Sequence, residues 1–80
     1  MFKSQGMLGE AVKHYRKALQ IEPNDSDTHN NLGNALKLQG KIDEAIEHYR
    51  QALRIDPDYS NARNNLKLAL EEKAGIKSDP

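Results

Sequence analysis

The sequence repeats itself with a period of 34 residues, and this period constrains the fold more than any other feature. When residues 5–38 are laid over residues 39–72, half of the paired positions are identical, and most of the others are conservative, such as Val12 with Ile46. A match of this extent over a single shift indicates two copies of one structural unit. We therefore expect a supersecondary unit that stacks against its own copies.

Each repeat is predicted to form two helices. Apolar side chains recur at intervals of three and four residues, Gly40 is suited to end the first helix of the central unit, and Pro57 follows the second. The predicted helices cover residues 8–21, 26–39, 42–55 and 60–73. No segment has the alternating pattern of a strand, so the sequence predicts an all-α fold.

The order of small and large residues within the repeat resembles the signature of the tetratricopeptide-repeat (TPR) family. The residues that carry the resemblance are Asn31, Leu32, Gly33, Asn34, Ala35, Gly40, Ala45, Tyr49, Ala52, Leu53 and Pro57. The resemblance covers about residues 5–72 and implies a solenoid of antiparallel helix pairs. About five helices are expected, as half a repeat, one full repeat and a capping helix. The resemblance also implies a protein-interaction module and not an enzyme.

The resemblance divides the chain into four parts. The expected parts are an incomplete first repeat with a remnant of its first helix (1–25), a complete repeat (26–59), a following or capping helix (60–74) and a disordered tail (75–80). Lys67 stands where Gly33 stands one repeat earlier, and a lysine there leaves no room for a closely packed helix. We therefore expect the helix near 60–73 to be a polar-faced cap.

In TPR arrays the first helix of each repeat lines a concave groove, so the resemblance implies peptide binding by side chains on those helices. The residues expected to bind are Asp27, Asn30, Asn31, Asn34, Lys37, Asn61, Asn64 and Asn65. Each asparagine amide offers two donors and an acceptor, which can pair with the main chain of an extended peptide.

Three roles for these asparagines stay open. The sequence is similar to the arrays of O-linked N-acetylglucosamine transferase-like proteins, in which Asn31 and Asn65 would match an asparagine ladder for substrate peptides. Packing between helices is an equal alternative. A third mode grips a C-terminal carboxylate with lysine, but Asn30 and Asn64 stand in place of that lysine, so only part of the clamp is present.

The helix near 8–21 should have an antiparallel mate before it, and Met1 to Gln5 supply only the last turn of that mate. Its apolar stripe is therefore expected to be partly uncovered. The stripe consists of Leu8, Ala11, Val12, Tyr15 and Leu19. Uncovered apolar faces mark missing partners, so the alternative function is self-association by domain swapping or helix exchange.

Composition excludes several other functions. Twelve basic and twelve acidic side chains are interspersed, so we expect neither nucleic acid nor membrane surface as a partner. There is no cysteine and no apolar run of the ~18 residues that a membrane span needs, and the N-terminal residues of this sequence lack the apolar core of a signal peptide. We expect a cytoplasmic protein with no catalytic residue, metal or cofactor. His14 and His48 are predicted to be surface residues.

Overall fold

A computed structural model describes the backbone of residues 2–75 and the side chains of residues 6–75. The described residues form four helices in chain order. These are α1 (Phe2–Ile21), α2 (Ser26–Leu38), α3 (Ile42–Ile55) and α4 (Ser60–Ala74). Each helix packs on the next, and α2 also contacts α4. The predicted all-α architecture of stacked helices is therefore confirmed.

Local signals set the ends of α2. Asp25 precedes the helix in an extended conformation, and its carboxylate accepts a hydrogen bond from the Thr28 backbone N–H at 3.3 Å. Gly40 follows the helix with a φ of 85°, a conformation that glycine adopts without a steric cost. The Lys41 N–H then donates to the Leu36 carbonyl at 2.8 Å, which closes the turn and directs α3 back along α2.

The core lies between α2 and α3 and extends to both outer helices. Leu32, Leu36 and Tyr49 are its largest fully buried side chains. The other buried members are Val12, Ala35, Ala45, Ile46 and Ala69. Gly33 lets the Tyr49 ring approach the α2 backbone, because a Cβ atom at Gly33 would lie 2.6 Å from Tyr49 Cε1.

The prediction of about five helices is wrong in number. The expected remnant helix does not form, because α1 runs without interruption from Phe2 through Gly6 to Ile21. Gly6 corresponds to Gly40, but within the described residues no helix precedes α1, so a reversal of the chain at Gly6 would gain no packing contact. Continuing the helix instead adds a backbone hydrogen bond for each residue that becomes ordered.

The end of α4 falls at the edge of the described residues. Gly75 ends the helix with a φ of 76°, and its N–H reaches the carbonyls of Glu71 and Glu72. The tail predicted over 75–80 lies outside the described residues from residue 76 onwards. Lys67 is exposed on α4, whereas the corresponding Gly33 is buried on α2, and this difference is consistent with a polar outer face on α4.

Candidate functional site

The side chains predicted to bind a peptide all lie on α2 and α4, which the repeat relates to one another and which contact each other. Residues three or four apart share one face of a helix, so Asp27, Asn31 and Asn34 are neighbours on α2, and Asn61, Asn64 and Asn65 are neighbours on α4. The structure divides the predicted set into amides that hold the helices together and polar groups that face solvent.

Asn30 belongs to the first group. Only 5% of this residue is exposed. Its carbonyl oxygen accepts a hydrogen bond from Asn65 Nδ2 at 2.9 Å, and its own Nδ2 donates to the Tyr59 hydroxyl at 3.4 Å. Buried amides are stable only when they are hydrogen-bonded, and these contacts satisfy that requirement while fastening α2 to α4. The oxygen and the nitrogen of the Asn30 side chain are therefore both engaged in packing between the helices.

Asn34 also takes part in packing. Its carbonyl oxygen accepts a hydrogen bond from the fully buried Tyr49 hydroxyl at 2.6 Å. Burial, with a smaller contribution from the negative charge of Glu72, raises the pKa of Tyr49 to about 12. The phenol therefore stays protonated and remains the donor, which fixes the orientation of the half-buried Asn34 amide.

Tyr59 is a member of this network that the sequence analysis missed. It stands just before α4, at the position that Asp25 occupies before α2. Hydrogen bonding to the Asp27 carboxylate is the main reason that the pKa of Tyr59 is raised above its ordinary value, and burial adds to it. An aromatic residue between the turn after Pro57 and the start of α4 was the available signal, but its partners lie on a helix almost a full repeat earlier.

The second group of predicted residues is accessible. Asp27, Asn31, Asn61 and Asn64 are exposed and Lys37 is half-buried, whereas Asn65, which is also half-buried, belongs with Asn30 to the first group. The exposed groups comprise three amides and one carboxylate, so they present both donors and acceptors to solvent. This surface can form hydrogen bonds with a polypeptide main chain.

The predicted self-association stripe lies on α1 and packs partly within the chain. Val12 is 8% exposed and belongs to the core, and Leu8, Tyr15 and Leu19 are half-buried against it. Ala11 is also half-buried. Less of the stripe is therefore available to a second copy than an isolated helix would offer.

The exposure of three α1 residues can be compared with that of the equivalent residues on α3, one repeat later. Ala45, Tyr49 and Ala52 on α3 are fully buried. Their counterparts on α1 are more accessible, since Ala11 and Tyr15 are half-buried and Ala18 is exposed. The cause is that α3 packs between α2 and α4, whereas α1 packs on α2 alone among the described helices.

A separate cleft of about 550 Å³ lies between α1 and α3, with Arg16, Glu44 and His48 among its lining side chains. His48, which was predicted to be a surface residue, is half-buried, and its Nδ1 lies 3.1 Å from Nδ1 of the buried His29. His14, at the same position one repeat earlier, is exposed as predicted. Pairing with a histidine on α2 accounts for the difference.

Across residues 2–75 there is no group of three or more histidine, cysteine or acidic side chains that could hold a metal ion. None of the four helices has both the length and the apolar character required to cross a membrane.

Comparison with known families gives two matches. A family model described as "Tetratricopeptide repeat" matches residues 26–59. A second, described as "TPR repeat", matches residues 1–40, which is half of the chain. A search of curated proteins finds no match.

Proposed function

The chain belongs to the tetratricopeptide-repeat family, and from this premise we propose that α2 and α4 bind an extended segment of another protein. TPR repeats generally mediate protein–protein interaction, and TPR domains are typically scaffolds without enzymatic activity. The observation that carries the proposal is the row of exposed polar side chains on two adjacent first helices, Asp27 and Asn31 on α2 with Asn61 and Asn64 on α4.

The two groups of amides have different tasks in this proposal. Asn30 and Asn34 set the arrangement of the helices, since both are engaged in hydrogen bonds within the chain. Asn31, Asn61 and Asn64 bind the ligand through main-chain groups, because an amide can donate to a carbonyl and accept from an N–H at the same time. Recognition of this kind tolerates many side-chain sequences in the ligand, as an asparagine ladder would.

The expected affinity is low. Few free amides are available on α2 and α4, and a typical hydrogen bond contributes only about 0.5–1.5 kcal/mol net. Ordering an extended peptide opposes this gain. Higher affinity is expected when several such units bind one ligand together, because effective concentration then favours each further contact.

A test can use peptides selected from a random library displayed on phage, measured as synthetic peptides by fluorescence anisotropy. The triple variant Asn31→Ala, Asn61→Ala, Asn64→Ala should weaken binding at least tenfold while it keeps the helical circular dichroism of the wild type. The control is Gln20→Ala, which removes an exposed amide from α1. Equal affinity of the triple variant and the wild type would contradict the proposal.

A second candidate function is self-association through α1. The observation that favours it is the incomplete burial of Ala11, Tyr15 and Ala18 in comparison with their counterparts on α3. A second copy of the chain could cover the face formed by these three residues by exchanging a helix or by pairing its own α1. Apolar surface that is removed from water contributes roughly 25 cal/mol per Å², which gives the driving force.

Sedimentation velocity over a range of concentrations tests this second candidate. Ala18→Glu places a charge on the face of α1 formed by Ala11, Tyr15 and Ala18, and this variant should be more monomeric than the wild type. Gln20→Glu makes the same charge on a different exposed face of α1 and should leave the distribution unchanged. A wild type that remains monomeric at high micromolar concentration would exclude self-association, and the binding of peptides by α2 and α4 would stand unaffected.

A further inference from the structure

A histidine on α2 and a histidine on α3 contact each other through their ring nitrogen atoms. His29 is 8% exposed, and its Nδ1 lies 3.1 Å from Nδ1 of His48, while its Nε2 lies 2.9 Å from the Pro23 carbonyl oxygen. The ring centroids are 5.3 Å apart. Since the nitrogen atoms are closer than the centroids by about the width of a ring, the imidazoles meet edge to edge and are not stacked face to face.

The Pro23 carbonyl determines which nitrogens carry protons. A carbonyl only accepts, so His29 Nε2 must hold a hydrogen, and in the neutral ring His29 Nδ1 is then an acceptor. His48 Nδ1 must therefore hold the hydrogen that lies between the two rings. The neutral pair consists of His29 with Nε2–H and His48 with Nδ1–H.

The same geometry limits how many further protons the pair can accept. One added proton is compatible with the contact, because a protonated ring still donates from its Nδ1 to the unprotonated Nδ1 of the other ring. A second added proton puts a hydrogen on both Nδ1 atoms, which face each other at 3.1 Å. Two donors and two positive charges then oppose one another, and the contact cannot persist.

The surroundings of the pair favour the neutral form of His48. Burial lowers the pKa of His48 most, and the neighbouring His29 and the positive Arg16 on α1 lower it further. Glu44 and Glu47 on α3 oppose these effects. These two acids and Arg16 are the charged side chains that line the cleft beside the pair, and Arg16 lies 3.7 Å from Glu44.

We propose that His29 and His48 form a pH-sensitive contact that holds α2 on α3 while the pair carries at most one added proton and opens when it carries two. The sign follows from linkage. A histidine whose pKa is lowered by folding binds fewer protons in the folded state than in the unfolded state. The stability that neutral His48 contributes is therefore complete above the unfolded pKa of about 6.5. It is lost as the pH falls from that value through the lower pKa of the folded state. This inference does not depend on the proposed peptide-binding function.

Thermal unfolding at several pH values tests the proposal with a matched pair of variants. Between about pH 8 and about pH 5, where histidines titrate, the Tm of the wild type should fall by several degrees. His14→Gln, at the equivalent and exposed position, should keep this fall. His48→Gln should lose at least half of it, because a glutamine amide can still donate to His29 Nδ1 but does not titrate. A His48→Gln variant with the full wild-type pH dependence would overturn the proposal.

Nuclear magnetic resonance of the unmodified protein provides an independent measurement, should His48→Gln fail to fold. Long-range correlations between ring nitrogens and carbon-bound hydrogens distinguish the two neutral tautomers. At about pH 8, where both rings are neutral, His48 should be the Nδ1–H form and His29 the Nε2–H form. Finding His48 as the Nε2–H form at that pH would refute the contact on which the proposal rests.

Discussion

Replacing Gly33 by alanine tests the central packing contact of the fold. A Cβ atom at Gly33 would lie 2.6 Å from Tyr49 Cε1 and 2.8 Å from Cδ1, well inside van der Waals contact. The ring has little freedom to move, because Tyr49 is fully buried and its hydroxyl donates to Asn34 at 2.6 Å. The added methyl group must therefore displace the ring, the α2 backbone or both.

Two opposing effects determine the size of the change at Gly33. Alanine has a higher helix propensity than glycine, which favours the variant by about 1 kcal/mol. Overpacking of a buried site costs about 1–3 kcal/mol, and disturbing the bond from Tyr49 to Asn34 costs about 1 kcal/mol more. We expect a net loss of about 1–3 kcal/mol, which for a domain of this size lowers the Tm by about 4–24 °C.

Circular dichroism during thermal and urea unfolding measures the change, with Gly9→Ala as the control. Gly9 is also within a helix, but no atom lies within 4 Å of the Cβ that alanine would add. Gly9→Ala should therefore raise the Tm, since only the propensity term remains. If Gly33→Ala proved as stable as the wild type while Gly9→Ala behaved as expected, the close approach of Tyr49 to α2 would be refuted.

Three further predictions concern the polar contacts. Asn30→Ala should cost about 1–3 kcal/mol of unfolding free energy in urea, because it leaves the half-buried Asn65 and Tyr59 without their hydrogen-bond partner. Asn64→Ala, at the equivalent exposed position, should cost less than about 0.5 kcal/mol. In a spectrophotometric titration, the Tyr49 phenol should ionise only near pH 12. The stability that this phenol contributes should be complete below about pH 10 and should be lost as the pH rises towards 12. Asp43→Asn removes the ion pair of Asp43 with Lys73, which spans 2.7 Å between two largely exposed side chains, and should change stability by no more than about 1 kcal/mol.

The helices of the central repeat could be predicted from the sequence because local signals define them. The helix predicted over 26–39 is Ser26–Leu38, and the helix predicted over 42–55 is Ile42–Ile55. The capping carboxylate of Asp25 and the positive φ of Gly40 act within one turn of the residues they affect. Such short-range effects can be predicted from the sequence alone.

The start of α1 could not be predicted from the same signals. Gln5-Gly6 and Gln39-Gly40 are identical dipeptides, yet the first lies inside a helix and the second ends one. A glycine permits a reversal but does not require it, and the free energy that favours the reversal at Gly40 comes from packing α3 on α2. That contribution depends on a neighbouring helix and not on the glycine.

The asparagines show the same limit for the candidate site. Asn30 and Asn64 occupy equivalent positions, so the repeat pattern treats them alike, but Asn30 is buried and Asn64 is exposed. The partner of Asn30 is Asn65, 35 residues away, and their contact depends on how consecutive repeats are rotated against each other. The sequence could therefore name the polar residues on α2 and α4 without separating those that face solvent from those that pack between the helices.

The hydrogen-bond network around Asn30 supports the proposed binding surface. Asn65 donates to Asn30, Asn30 donates to Tyr59, and Tyr59 interacts with Asp27, so a chain of polar contacts runs from α4 to the exposed start of α2. Because an extended peptide has fixed distances between its main-chain groups, amides on two helices can bind it together only if the helices keep one separation. The contacts of the buried Asn30 with Asn65 and Tyr59 maintain that separation, so a packing role for these polar residues is compatible with the binding role proposed for their exposed neighbours.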